Sequence, residues 1–343
     1  MNFRVATFNA GLAVGVLPFA TERVPRVVEA LSDLNVDLLF VQEFWLDSHW
    51  QALCDALRPK LPHAFRPEPA QKAALGACTT EQVQPLVDCA ETHCAGLKDE
   101  ALARCVVSRC ARSALSLPPP CLNCIASHPV GALHDIVSRC IGDSPVGADS
   151  SALASGYGGL VAYGGSFGTG LLARTALART DRLVFESTVN ARGAVYAQVV
   201  APGIGLLHVF AAHLSPGGAE QPPQAERLVR WVLEKAPRGP ALLLGDLNAT
   251  PRSAVFERFV RAGFRPPNAE DQRATFAPDG LGSGTVAESG WRLDHVLGRE
   301  LGGELRTERI LDSPVTLEVQ GRHIRSTLSD HFGVLGTWSP SER

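Results

Sequence analysis

The chain has 343 residues, 45% hydrophobic and 20% charged, with a formal net charge of −3. A normal apolar fraction with so little net charge excludes a disordered chain, and no apolar run reaches the roughly 18 residues of a membrane span. An isoelectric point of about 6.4 supplies no overall basic field, so capture of nucleic acid needs a local patch or a metal.

Taken in chain order, residues 3–8 alternate like a half-buried strand, and residues 22–34 carry Val24, Val27, Val28 and Leu31 on one side of a helix. Residues 37–41 form a continuous apolar run, the pattern of a strand buried on both faces. A second helix is expected over 48–57. After a long compositional break come strands over 170–174, 195–200 and 205–212, a helix over 224–235, and a buried strand over 241–244. The chain closes with a strand over 292–297, a hairpin turning near Gln320-Gly321, and a strand over 333–338.

The break is marked by cysteine. Eight of the nine cysteines fall between Cys78 and Cys140, and only Cys54 lies outside. Such density points to a disulfide-stapled module and an oxidising compartment. The N-terminus, however, shows no signal-peptide pattern, so a cytoplasmic location stays open beside a secreted one. The simplest organisation is one catalytic domain, residues 1–70 and 151–343, interrupted by a Cys-rich insertion over 71–150. Within it Cys89 and Cys94 are spaced like Cys105 and Cys110, which suggests an α-hairpin stapled Cys89 to Cys110 and Cys94 to Cys105. Cys121-Leu-Asn-Cys124 alternatively reads as half of a zinc site.

The polar residues that stand out each follow or flank an apolar run: Asn9, Glu43, His213, Asp246 and Asn248, Asp294-His295, and Asp330-His331. Ends of strands on a rigid sheet are where α/β enzymes gather catalytic groups. Singly, each has a bland explanation. Asn after a strand is commonly a turn residue, a Glu can start a helix, and Gly-Asp-Leu-Asn can be only a tight turn. Their order and shared placement carry the signal.

That ordered series, Ala6-Thr-Phe-Asn9, Val41-Gln-Glu43, Ala212-His213-Leu214, Leu244-Gly-Asp-Leu-Asn248, Leu293-Asp294-His295 and Ser329-Asp-His331, resembles the endonuclease/exonuclease/phosphatase superfamily. The resemblance implies an α/β fold: a four-layer sandwich of two central mixed β-sheets flanked by helices, here with a mostly helical Cys-rich insertion. It also implies Mg²⁺-dependent hydrolysis of a phosphate ester, with Mn²⁺ or another divalent cation as a substitute. By that resemblance Glu43 is the main metal ligand, with Asn9 beside it and Asp330 contributing. Asp246 orients or deprotonates the attacking water, and Asn248 holds water or a phosphate oxygen. His331, paired with Asp294, is a general base or cationic donor, and His213 stabilises the phosphoryl charge. Glu43 suits the metal independently, because Mg²⁺ favours one or two carboxylates with waters and substrate phosphate. If Asp294 and His295 lie on one strand they face opposite ways, so His295 is expected to be structural.

For substrate, Val41-Gln-Glu-Phe-Trp45 and the helix after it look most like the neutral sphingomyelinase branch, as does Asn190-Ala-Arg-Gly193, which makes Arg192 a substrate-binding candidate. His213-Leu-Ser215 and a hairpin without paired aromatics depart from that branch. The expected partner is thus a phospholipid surface, met by a monomer without a transmembrane segment. A nuclease using Arg252, Arg258, Arg261, Arg265 and Arg273 as a basic groove is the alternative, and a soluble inositol or sugar phosphate phosphatase a second. A binding module on the same fold is disfavoured because no catalytic position has been lost.

Overall fold

The computed structural model describes residues 2–68, 77–126, 128, 131–142, 163, 166–187, 190–267 and 269–341. The first part of the chain runs β1 (Phe3–Asn9), α1 (Ala20–Ser32), β2 (Leu38–Gln42), α2 (Asp47–Leu57) and β3 (His63–Phe65). Five helices follow: α3 (Thr80–His93), α4 (Asp99–Arg109), α5 (Ala111–Leu115), α6 (Pro119–Ala126) and α7 (Leu133–Cys140). Next come β4 (Gly170–Ala173), β5 (Arg179–Phe185), β6 (Arg192–Ala201), β7 (Gly205–His213), α8 (Gln221–Lys235), β8 (Ala241–Asp246), α9 (Ala254–Arg261) and β9 (Ala269–Glu270). The last strands are β10 (Asp294–Arg299), β11 (Gly303–Ile310), β12 (Val315–Val319), β13 (Arg322–Ser326) and β14 (Gly333–Pro340).

Two mixed sheets form the centre. One has the order β3-β4-β2-β1-β14-β11-β9 and the other β10-β8-β7-β6-β5. Each strand that read as continuously apolar is buried on both faces. Leu38 and Phe40 of β2 join Leu242 and Leu244 of β8 in the layer between the sheets. Leu39 and Val41 face Val27, Leu31, Leu53 and Leu57 of α1 and α2. On the far side, Ala241 and Leu243 pack with Leu228, Trp231, Phe256 and Phe259 of α8 and α9. The period of two along each strand therefore divides its side chains between two cores, which is the four-layer sandwich expected.

Four strands were not legible as such: the two- and three-residue β9 and β3, and the longer β5 and β11. β11 buries Leu305, Thr307 and Arg309 in alternation, so its inward positions include a charge. Arg309 is enclosed by Asp312 at 3.0 Å, Glu288 at 3.1 Å and the face of Phe332. β5 lies at a sheet edge and packs against the core only through Leu183 and Phe185 at its end, too short an apolar alternation to detect. The Gln320-Gly321 turn does join β12 to β13, both residues having positive φ as a two-residue hairpin turn requires.

The helices α3 to α7 bury a cluster of their own, including Val83, Leu86, Leu102, Leu117 and Ile136. Cys89–Cys110 and Cys94–Cys105 pair as the spacing suggested, and Cys78–Cys121 and Cys124–Cys140 complete the staples. Both sulfurs of the Cys-x-x-Cys segment are thereby consumed, so it is not a zinc half-site. Cys54 is free. The expected limits of the insertion, 71 and 150, fall outside the described residues.

Candidate active site

The sheet registers bring the strand ends together. β1 and β2 are parallel with Asn9 opposite Gln42, so Asn9 and Glu43 emerge side by side. β10 is antiparallel to β8 with Asp294 opposite Asp246, and β6 is antiparallel to β7 with Gly193 opposite His213. β14 runs antiparallel to β1, which returns Asp330 and His331 to the same end. Seven segments distant in sequence thus contribute to one cluster.

Asn9 is its joint. The amide oxygen accepts from the Gly11 N–H at 3.1 Å, which fixes the amide's orientation. The nitrogen then donates to Glu43 at 3.3 Å and to Asp246 at 3.0 Å. Glu43 also accepts from the Trp45 indole at 3.4 Å, and its φ of 59° is in the left-handed region, a strained geometry typical of functional residues. Asp246 receives the Asn248 N–H at 2.9 Å and lies 3.4 Å from His213 Nε2 and 3.7 Å from His331 Nε2. The Arg192 guanidinium contacts His213 Nε2. Asp294 accepts from His331 Nδ1 at 2.8 Å, leaving Nε2 to face Asp246, while Phe276 packs against the imidazole.

Asp330 accepts from Ser329 Oγ at 3.1 Å and abuts Gly11, where a Cβ would come within 2.6 Å of its carboxylate. Asn248 is oriented differently from the others: its side-chain nitrogen donates to Leu214 O at 2.9 Å, bracing the chain beside His213. His295 is outside the cluster, bonded to Ala249 O at 2.8 Å and packed on Phe256.

Burial dominates the electrostatics. It raises the Glu43 carboxyl above its ordinary value, and the Asp330 charge adds to the rise against Arg192 and His331. Asp246 is pushed up to about 7 by burial, with His331 opposing and Asp294 adding. Burial would lower His331, but Asp294 and Asp246 outweigh it and hold the imidazole at about 10, in the charged form. His213 falls well below its ordinary value through burial and then the Arg192 charge, so it is neutral. The Glu43 carboxylate, with the Asp330 carboxylate close enough to shift it, makes a pair of hard oxygen donors that fits Mg²⁺. The Asn9 amide instead turns its nitrogen to this site and its oxygen to Gly11, so it orients Glu43 rather than serving as the expected ligand. Asp246, Asp294 and His331 also converge within 4.8 Å, but there the Asp294–His331 hydrogen bond already uses the facing atoms.

Sequence reading overlooked Arg23. Its side chain is fully buried and donates to Ala10 O at 2.8 Å, Leu328 O at 2.8 Å, Pro18 O at 3.1 Å and Gly11 O. It therefore ties the segment after Asn9 to the one before Ser329-Asp330-His331. The available signal was its place on the apolar stripe of α1, four and eight residues before Val27 and Leu31. Four of the five arginines proposed as a basic groove are otherwise engaged. Arg258 pairs with Glu226, Arg261 with Glu257, Arg273 with Asp271, and Arg265 donates to Val260 O.

The buried His295 yields a stability prediction. Burial, with Arg292 nearby, lowers it to about 4 against an unfolded value near 6.5. The unfolded chain then binds more protons between those values, so this contribution is complete above pH 6.5 and is lost as pH falls toward 4. The loss is about 3 kcal/mol at most. Thermal melts of wild type and His295→Gln at pH 7.5 and 4.5 should show a smaller acid loss in the variant. An equal loss in both would remove His295 as a cause.

A sequence search of curated proteins finds no match. Solved structures with the same fold include sphingomyelinase C from Streptomyces griseocarneus, at 15% identity and a TM-score of 0.57 over 99% of this chain and 100% of that one. Beta toxin from Staphylococcus aureus, in a structure with bound magnesium ions, aligns over all of both chains at 12% identity and a TM-score of 0.59. Truncated TDP2 from Caenorhabditis elegans covers 98% and 97% at 12% identity and a TM-score of 0.52. The family model spans the strand that ends at Asn9 through the histidine paired with Asp294, residues 6–331, and the chain belongs to the Endonuclease/Exonuclease/phosphatase family of phosphoester hydrolases.

Proposed function

We propose that the protein is a Mg²⁺-dependent phosphodiesterase of sphingomyelinase type that cleaves the head group of a phospholipid. The observation carrying this reading is the Asn9 amide, which joins the carboxylate suited to a metal, Glu43, to the acid–base group around Asp246 and His331. Glu43 and Asp330 would hold the cation, and Asn9 sets their neighbourhood by donating to Glu43. When bound, the metal neutralises charge on the phosphoryl oxygens.

The chain's own residues do the rest. Arg192, with neutral His213 as its acceptor, binds the phosphoryl oxygens and supplies the positive charge that stabilises them. Asp246 and His331 orient the attacking water and share its proton, titrating as a pair rather than singly. Asp294 fixes the imidazole so that Nε2 faces the reacting centre. The leaving oxygen departs as phosphorus bonds to the water oxygen. A lipid is favoured over nucleic acid because four of the proposed groove arginines are engaged elsewhere, and sphingomyelinase C shares the fold across its whole length. Four disulfides fit an oxidising compartment, and no helix among the described residues is long and apolar enough to cross a membrane.

The test is hydrolysis of sphingomyelin vesicles and of plasmid DNA in parallel, with and without Mg²⁺, using His331→Ala as control. Lipid turnover that requires Mg²⁺ and His331 supports the reading. DNA nicking with inert vesicles moves the protein to the nuclease alternative. Turnover restricted to soluble phosphate monoesters replaces both with a phosphatase.

The division into a catalytic domain and a Cys-rich insertion has its own test. The site draws on the strand ends, not on α3 to α7, while each disulfide contributes about 2–4 kcal/mol to its module. Mild reduction should expose residues 77–142 to protease while hydrolysis of a small soluble phosphodiester persists in part. Complete loss of that hydrolysis would show the insertion to be integral to the site.

A further inference from the structure

An apolar chamber of about 330 Å³ opens between the Cys-rich helices and the segment that follows Asn9. Leu102, Val106 and Leu122 line it from the helical side, and Val14, Val16 and Tyr163 from the catalytic side. Gly15 makes the junction possible: its φ is +84°, and a Cβ there would lie 2.4 Å from that of Ala103.

The lining determines what can enter. Its polar side-chain groups are the His128 imidazole and the Tyr163 hydroxyl, and the hydroxyl already donates to Val14 O at 2.9 Å. An N–H or C=O brought inside would lose its water and gain almost no partner, at several kcal/mol per group. That rejects an extended peptide or a nucleotide. A helix, about 10 Å across with its side chains, is too thick for the volume. A single hydrocarbon chain meets both conditions. The mouth is apolar as well: Val16, Val107 and Leu115 are 68%, 63% and 71% exposed beside one another on this chamber.

The chamber wall adjoins the phosphoester site. Tyr163 stacks on Trp45 at 5.3 Å, and Trp45 donates to Glu43 at 3.4 Å. The Leu12 N–H bonds to Glu43 O at 3.2 Å, two residues before Val14. Two side-chain contacts thus separate the chamber wall from the carboxylate suited to the metal. We infer that the chamber binds one alkyl chain, that of the lipid phosphoester whose head group is cleaved at Glu43. The inference deepens the lipid reading above and rests on it for the chain's source.

Two measurements on the full chain test it, with Val106→Trp to fill the chamber and Leu115→Glu to charge its exposed mouth. In the first, cis-parinaric acid is titrated without Mg²⁺ and its fluorescence followed. Saturable binding to wild type, weakened about tenfold or more in both variants, is expected. In the second, phosphocholine esters from butyl to dodecyl are hydrolysed as monomers. KM in wild type should fall by roughly fourfold for each methylene buried. The variants should flatten that dependence while turning over the butyl ester as wild type does. Parinaric acid binding without cleavage of any ester supports the chain site and overturns the lipid reading. Lipid cleavage with the same chain-length dependence in all three proteins overturns the chamber and leaves the lipid reading intact. Failure of wild type to bind parinaric acid also overturns it.

Discussion

Glu43→Gln is expected to lower kcat/KM on a soluble phosphodiester by at least about 10²–10³-fold, the scale for losing one principal charge-stabilising group. Gln keeps the shape of Glu, but its single amide oxygen can accept from Asn9 or from the Trp45 indole and not from both, so the structural cost is one long hydrogen bond. What disappears is the charge. That charge is buried near Asp330, and both effects raise the carboxyl's pKa, so the metal-free fold gains nothing from it. The variant should therefore melt no lower than wild type without metal, while Mg²⁺ stabilises it less. Loss of activity with retained stability separates a metal-holding residue from a packing residue. Wild-type turnover with an unchanged Mg²⁺ dependence in Glu43→Gln would remove Glu43 from the metal site.

Arg23→Met is expected to cost both stability and function, through the backbone. Met fills the aliphatic volume but leaves the carbonyls of Ala10, Gly11 and Leu328 without their donor. Stranded buried acceptors cost on the order of 3 kcal/mol together, a fall of roughly 5 °C in the melting midpoint. Arg23 touches no substrate, so its effect on rate is positional. Asn9 and Asp330 stand at the two segments it ties, and misplacement by about 1 Å can cost 10²-fold in rate. The Mg²⁺ concentration for half-maximal activity should rise together with the fall in kcat. Arg23→Lys, with one charged head for several carbonyls, should recover part of the stability and less of the rate. A lower melting midpoint with unaltered kcat and Mg²⁺ dependence would reduce Arg23 to a stability element.

The contrast between these residues shows where sequence is informative. Glu43 was visible because it closely follows the apolar run Leu38 to Val41, and such a run on a doubly covered strand stops where the strand leaves the sheet. Asp246, Asp294 and His331 were visible for the same reason, helped by their order along the chain. Arg23 was hidden because a charge on an amphipathic helix is ordinarily solvated, and only the carbonyls of two distant segments make its burial tolerable. β11 was missed similarly: Arg309 occupies an inward position, and its partners Asp312, Glu288 and Phe332 become neighbours only on folding.

His213 and Asn9 illustrate the remaining gap. The family resemblance gave Asn9 a role at the metal and His213 one at the phosphoryl charge, but not the orientation of the first or the protonation of the second. The Gly11 N–H turns the Asn9 amide so that its nitrogen, not its oxygen, meets the two carboxylates. Burial keeps His213 neutral, and Arg192, brought opposite by the β6–β7 register, adds to that effect.

The sequence by itself determined which runs are buried strands, which polar residues end them, and the spacing by which four of the cysteines pair, because burial period and spacing are local properties of the chain. Tertiary structure decided the protonation of the histidines, the orientation of Asn9, the clamp at Arg23 and the apolar chamber. Each of these depends on groups far apart in sequence meeting in a space from which water is excluded, and neither periodicity nor spacing records that meeting.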